Sequence, residues 1–369
     1  MTGMQRYEVL MVFLFVGLLV SCKSTREERT DFTKDFSDLI QPVPQHAIFS
    51  QEGYFVWGAS VVKHAGQYHM YYSRWPLDSG FSAWVTDSEI AHAVADHATG
   101  PYHFVDVALP ARGSSYWDGL CTHNPTIHQF DGKLYLYYMG NTGDGRATRN
   151  LNFIHRNNQR IGVAWAEQPE GPWTRMDHPL IDVSDDSTAY DALMTSNPSV
   201  TQMENGNFLL IYKAVAKHAA LPFGGPVTHL VAVSDRPAGP FVKQNNPVFY
   251  QEGLHFPAED PYIWWDKSSG RYMAIVKDNE GTFTNKGKSL ALFTSLNGLD
   301  WEPAENPFVS GISYTKEDGT VVRLHSLERP QLLFENDQPV VLFCAADTSQ
   351  ERLYSFNVHL PLADFSSVK

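Results

Sequence analysis

The chain has 369 residues, 43% of them hydrophobic and 19% charged, enough to bury a sizeable core in one large or two ordinary domains. Its 28 basic against 41 acidic side chains leave a net charge of -13, which argues against nucleic acid and anionic membrane surfaces as partners. Aromatic residues are abundant at 13%, a composition that sheet packing and sugar stacking both favour.

At the N-terminus, Arg6 precedes the apolar run Val9–Val20 (VLMVFLFVGLLV), too short for a comfortable membrane span. The run ends in Leu19-Val20-Ser21-Cys22, which resembles the lipobox of bacterial lipoproteins. That resemblance implies cleavage before Cys22, lipidation of its thiol and a place on a membrane of the bacterial cell envelope, on its periplasmic or surface face. An ordinary signal peptide or a short anchor is the alternative. The polar stretch Lys23–Lys34 suits a tether. Residues 1–22 are therefore expected to target the chain, 23–44 to tether it and 45–369 to fold. Cys121 and Cys344 are expected as buried thiols, and no Cys/His spacing of the zinc type occurs.

Beyond residue 50 there is no long helical periodicity. Short aromatic and β-branched runs alternate with Gly, Pro, Asn and Asp, the pattern of an all-β chain. A unit of strand start, turn and second strand recurs. It begins at Gly58-Ala59-Ser60, His123-Asn124-Pro125, Ser196-Asn197-Pro198, Glu259-Asp260-Pro261 and Glu328-Arg329-Pro330. Second strands follow, such as Tyr68–Tyr72, Leu134–Tyr138, Phe208–Tyr212 and Tyr272–Val276. The four prolines are spaced by 73, 63 and 69 residues. A further apolar strand and Gly-centred turn follow, as in Ile161–Ala166 with Gly171-Pro172-Trp173. Five such copies, each with about four strands, predict a five-bladed β-propeller, because radial repetition protects sheet edges.

In a propeller the first strand of each blade lines the central channel. Polar residues at the strand starts then converge: His123 and Asn124, Asn197, Glu259 and Asp260, Glu328 and Arg329, with Asp118 a few residues upstream of its own. Arg74, Lys213 and Lys277 follow second strands, and Trp57, Trp75 and His325 stand close by. Carboxylates, cations, amides and aromatics together suit a polyhydroxylated ligand. The loop Asn141–Gly145 is expected to be a turn, and the insertion Arg146–Asn158 to lie over the channel mouth, as a lid or an ordinary long loop.

The Asp-Pro-x-Ile and Glu-x-Pro-x-Leu strand starts, with Gly-x-Tyr second strands, resemble the five-bladed glycosidases of glycoside hydrolase family 43, whose relatives include families 32, 68 and 117. The resemblance covers about residues 50–360 and implies a glycosidase, exo-acting on an oligosaccharide by carboxylate acid/base catalysis. A phosphorylase of the same fold and a non-catalytic glycan-binding lipoprotein are the alternatives. By motif, Asp260 matches the family's base and Glu259 and Glu328 its acid. The chain departs from the family at the first blade, which has Trp57-Gly58-Ala59 and no carboxylate, and at the third, which has Ser196-Asn197-Pro198. Glu328 is expected as acid and Asp260 as base across roughly 6.5–9.5 Å. Asp118 and Glu259 would tune them or hold hydroxyls. Trp57, Arg74, His123, Asn124, Asn197, Lys213, Lys277, His325 and Arg329 are expected to bind substrate. No cofactor or metal ligand set is indicated, a central structural cation being left open.

Overall fold

The computed structural model describes Thr2 and residues 36–363. Cys22, the targeting segment and most of the tether lie outside the described residues. Five four-stranded antiparallel sheets form the blades of a propeller. Strand β1 (Ile48–Phe49) comes first in the chain but belongs to the last blade. Blade 1 is β2 (Tyr54–His64), β3 (Gln67–Pro76), β4 (Glu89–Ala95) and β5 (His103–Leu109). Blade 2 is β6 (Cys121–Phe130), β7 (Lys133–Asn141), β8 (Arg160–Ala166) and β9 (Thr174–Arg175), with the one-turn helix α1 (Phe153–Asn157) inserted before β8. Blade 3 is β10 (Met194–Gln202), β11 (Phe208–Val215), β12 (Val227–Ser234) and β13 (Val242–Lys243). Blade 4 is β14 (Ala258–Asp266), β15 (Arg271–Asp278), β16 (Ser289–Ser295) and β17 (Glu302–Gly311). After a hairpin of β18 (Ser313–Thr315) and β19 (Val321–Arg323), blade 5 is β20 (Ser326–Glu335), β21 (Gln338–Asp347), β22 (Phe356–Pro361) and, as its outer strand, β1.

The apolar runs of the second strands follow from this stacking. All eight residues of β11 are buried, because each blade is covered on both faces. Apolar clusters fill the gaps between neighbouring blades: Tyr71 and Ile90 meet Ile127 and Leu136, Tyr137 and Ile161 meet Leu210 and Tyr212, and Leu209 and Ile211 meet Ile263 and Ala274. The ring closes through Tyr262 and Met273 against Leu332 and Leu342, and through Val56 and Met70 against Leu333 and Phe343. Cys121 and Cys344 are buried free thiols, as expected.

Residues 36–44, expected as part of a tether, pack onto the propeller. Phe36 and Leu39 are buried, the Gln41 N–H donates to the Pro361 carbonyl at 2.8 Å, and the Val43 N–H donates to Thr315 at 2.8 Å. Apolar side chains at 36, 39 and 43 bury themselves against blade 5 and the hairpin, so among the described residues the domain starts at Phe36 rather than 45.

Each blade's first strand carries the same irregularity. Pairing with the second strand slips between Trp57 and Ser60, His123 and Thr126, Ser196 and Ser199, Glu259 and Tyr262, and Glu328 and Gln331. The first bulged residue is left-handed in every case: Gly58 (φ 61°), Asn124 (53°), Asn197 (51°), Asp260 (55°) and Arg329 (56°). Gly, Asn and Asp tolerate that backbone, and the proline that follows in four blades has no N–H to lose from the ladder. Just beyond the bulge, polar side chains tie blade to blade. Ser60 Oγ accepts from the Ile127 N–H at 3.0 Å and Ser199 Oγ from the Ile263 N–H at 2.9 Å.

Candidate active site

The five bulges aim their residues at the axis. Asn124 Nδ2 donates to Asn197 Oδ1 at 2.8 Å, and Asn197 Nδ2 donates to Asp260 Oδ1 at 2.5 Å. Arg329 approaches the same oxygen at 3.5 Å and the Pro125 carbonyl at 3.4 Å. Its side chain runs across Gly58, where an added Cβ would lie 3.4 Å from Arg329 Cγ. Asn124, Asn197, Asp260 and Arg329 thus form a hydrogen-bonded chain around the axis, with Arg329 packed against Gly58 and bonded back to blade 2 at the floor of the channel.

Above that floor lies a cavity of about 210 Å³. One wall is aromatic: Trp57 and Trp75 from blade 1, with Phe81 and Trp84 from the turn that follows β3. Trp57 and Trp75 pack edge-on against Phe81 at 5.5 and 5.6 Å, and His123 lies 5.1 Å from Trp84. His123 Nδ1 is 2.7 Å from Ser88 Oγ, and burial with the nearby Arg329 and Lys213 charges holds the imidazole neutral. The opposite wall is charged. Lys213 Nζ lies 2.7 Å from Glu259, while Lys277 Nζ sits between Glu259 at 3.2 Å and Glu328 at 3.0 Å. Arg352 reaches Glu328 at 3.4 Å and stacks on Phe81 with its guanidinium 4.4 Å from the ring centre.

Glu259, Asp260 and Glu328 each place a carboxylate oxygen within 4.8 Å of the others. Their environments differ sharply. Burial, reinforced by the Glu259 and Glu328 charges, raises Asp260 to about 6 against the pull of Arg329 and Lys277. Burial alone would raise Glu259 too, but the ammonium groups of Lys213 and Lys277 outweigh it and hold the group well below the usual carboxylate range. Lys277 is raised in turn, because the carboxylates of Glu328, Glu259 and Asp260 outweigh its own burial. The three carboxylates form the cluster spaced to hold a cation among the described residues, and the Lys277 ammonium already lies between two of them.

Of the residues expected at the site, Trp57, His123, Asn124, Asn197, Lys213, Glu259, Asp260, Lys277 and Glu328 line the cavity, and Trp75 joins them. Arg329 belongs to the floor, and His325 lines a neighbouring cavity. Two expectations are corrected. Asp118 is buried away from the cavity, accepting from Arg112 at 2.7 Å and from the Tyr138 hydroxyl at 2.7 Å. Asp191 repeats the arrangement with Tyr212, so both carboxylates anchor a loop to a second strand. Arg74 points away as well, paired with Glu89 at 2.8 Å and stacked on Tyr54 and Phe104, because its position in β3 faces the outer strands of blade 1. The separation expected between Glu328 and Asp260 is also not met. Blades 4 and 5 are neighbours, so their strand starts approach each other near the axis rather than facing across it.

The insertion lines no part of the cavity. Its helix packs sideways, with Arg156 donating to the Phe223 carbonyl at 2.6 Å. The loop Asn141–Gly145 is a turn, its Gly145 N–H donating to His155 Nε2 at 3.0 Å. Sequence reasoning missed Arg352, Phe81 and Trp84. All three come from loops without a counterpart in the other blades, so the repeat gave them no signal.

No protein-family profile matches the chain, and no curated protein matches it in sequence. Solved structures do. A family 117 glycoside hydrolase of the marine bacterium Zobellia galactanivorans is 17% identical over 87% of this chain and 89% of its own, with a TM-score of 0.59. An α-L-arabinofuranosidase of Lactobacillus brevis is 12% identical over 87% and 92%, with a TM-score of 0.56. A family 43 enzyme of Xanthomonas citri in complex with xylotriose is 16% identical over 90% and 93%, with a TM-score of 0.56. The chain thus shares the five-bladed propeller of glycoside hydrolase families 43 and 117.

Proposed function

We propose that the chain is a glycoside hydrolase that removes sugar from the end of an oligosaccharide, using carboxylates of blades 4 and 5. The observation that carries this is the cluster of Glu259, Asp260 and Glu328 within 4.8 Å, at the floor of an aromatic-walled cavity. A carboxyl raised by burial can serve as the acid, and a neighbouring carboxyl ion-paired with cations as its partner. Asp260, raised to about 6, is suited to donate a proton. Glu328, flanked by Lys277 and Arg352, is suited to act as the anion. These roles are the reverse of those expected from sequence. With carboxylate oxygens within 4.8 Å, the spacing favours double displacement, whose carboxyls stand roughly 5–5.5 Å apart, over single displacement.

In the first step Asp260 gives its proton to the glycosidic oxygen. Glu328 bonds to the anomeric carbon as the bond to the leaving oxygen breaks. Asp260 then takes a proton from water, whose oxygen displaces Glu328, and the anomeric configuration is retained. Glu259 stays ionised and stabilises developing positive charge on the sugar. The floor favours a chain end over a threaded chain. A location on the cell envelope, through a lipid on Cys22, belongs to the same proposal.

A second possibility, glycan binding without turnover, is favoured by the complete pairing of both glutamates with cations. One experiment separates them: a panel of oligosaccharides is incubated with the protein, with and without phosphate, and the first product is followed by proton NMR. Phosphate-independent release of a sugar of retained configuration is expected, lost by roughly 10²–10⁴-fold in Asp260→Asn and Glu328→Gln. Binding without release would replace hydrolysis by recognition. Phosphate-dependent release would make the chain a phosphorylase, and an inverted product would rule out the double displacement.

A further inference from the structure

The first strands that start at the carboxylates end at the opposite mouth of the channel, and there they enclose a cavity of about 180 Å³. It shares no lining residue with the cavity above the floor. Along β14, Trp264 lies four residues beyond Asp260, about 13 Å at ~3.3 Å per residue.

A break in the repeat marks this place too. The fourth and fifth residues after each left-handed bulge position are Val62 and Lys63 in blade 1, His128 and Gln129 in blade 2, Thr201 and Gln202 in blade 3, and Leu333 and Phe334 in blade 5. Blade 4 alone has two tryptophans there, Trp264 and Trp265. Both line the cavity, with Tyr262 and Phe334 beside them. Packing between Tyr262 and Phe334 accounts for Trp264, which is buried. Trp265 and Phe334 stay only half-buried at the ends of their strands.

Polar groups stand around these rings. Lys267 Nζ lies 2.9 Å from both carboxylate oxygens of Asp337, and both side chains are exposed. An ion pair so placed contributes little to stability, so it can turn to hydroxyl groups at small cost. His128 stacks parallel to Tyr262 at 6.4 Å, and burial lowers its imidazole to about 4, which keeps it neutral. Its Nε2 has no hydrogen-bond partner among the described residues. A buried polar atom ordinarily has one, and a hydroxyl entering the cavity would supply it. The cavity has the volume of about six waters of ~30 Å³ each, room for one sugar ring.

We infer that the far mouth of the channel is a second, non-catalytic carbohydrate site, which stacks one ring of a glycan on the tryptophan pair and holds its hydroxyls through Lys267, Asp337 and His128. A sugar ring has an apolar C–H face for the indoles and a polar edge for the charged rim. Because the floor lies between this site and the first cavity, the ring held here belongs to another stretch of polymer or another chain. Two sites on one propeller raise the effective concentration of long glycans and leave the handling of short ones unchanged. Binding at the far mouth does not depend on turnover, so it goes beyond the hydrolase reading.

Affinity electrophoresis in polyacrylamide gels cast with arabinan, xylan or agarose tests this. The wild-type protein should be retarded by at least one polymer, and the apparent Kd should rise at least about fivefold in Trp265→Ala and in Lys267→Ala/Asp337→Ala. The double variant removes only exposed side chains, so it reports on a folded protein even where Trp265→Ala unfolds. Release of sugar from short oligosaccharides should stay within about twofold of wild type in the double variant. Retardation of the double variant equal to that of wild type, or no retardation of the wild type in any of the gels, overturns the second site. Absence of sugar release by the wild type overturns the hydrolase alone, since retardation is read without turnover.

Discussion

Asp260 carries two demands that conflict. As part of the axial chain of hydrogen bonds it accepts from Asn197 and Arg329, yet it stays among carboxylates that disfavour its ionised form. A carboxyl raised to about 6 in the folded protein binds more protons than the unfolded chain between its ordinary value of 3.8 and about 6. Stability from this group therefore falls as pH rises across that window and stays lower above it. Asp260→Asn should abolish turnover and yet stabilise the protein above pH 7, by about 1–3 kcal/mol. The gain should shrink toward zero near pH 4, as urea unfolding at the two pH values would reveal. For turnover, an acid with this pKa predicts activity that declines as pH rises through about 6. The excess of charge at Glu259, Asp260 and Glu328 was visible in the sequence, because those positions break the repeat. Asp118 misled for the converse reason. It stands six residues before Asn124, as Asp191 stands six before Asn197, and a polar residue that recurs at one repeat position serves the fold. Spacing could place these carboxylates at one end of the channel, but not say which cations would neutralise them, since Lys213 arrives from a neighbouring blade and Arg352 from a loop that the repeat does not predict.

At the scale of the strand, the bulge sets what each first strand presents to the axis. The dipeptides Asn-Pro, Asp-Pro and Arg-Pro marked the positions in sequence, but the left-handed backbone there was not foreseen. Arg329 is the costly member, since long side chains seldom adopt that conformation. Its side chain lies against Gly58, so the glycine of blade 1 and the arginine of the neighbouring blade 5 pack together near the axis. Asn124→Val should destabilise by about 2–3 kcal/mol, combining β-branched strain with the lost bond to Asn197. Asn124→Gly keeps the backbone and should cost no more than about 1.5 kcal/mol. Equal losses in the two variants, measured by denaturant unfolding, would show that backbone conformation is not what the position requires.

For the whole molecule, the repeat was legible because each blade writes the same pattern, while its closure was not. The outermost strand of blade 5 is only two residues long and lies at the other end of the domain, where a pair such as Ile48 and Phe49 carries no period. Phe49 packs edge-on to Tyr72 at 4.9 Å, and Phe36, Leu39 and Val43 add further buried apolar surface. Full burial of such side chains stabilises by roughly 1.5–3 kcal/mol each. A chain starting at Gln51 should melt at least roughly 10 °C below one starting at Phe36, and should self-associate through the uncovered edge of β22. Differential scanning calorimetry and size-exclusion chromatography of the pair test this.

The same closure fixes an order of events during synthesis. Ile48 pairs with Val358, so 310 positions separate the two sides of the seam. A ribosome adding roughly 5–20 residues per second needs about 15–60 s to cover that distance. For all that time the first strand is made and has nothing to pair with. Four blades can stack as they emerge, but the propeller is latched only by nearly the last strand to leave the ribosome.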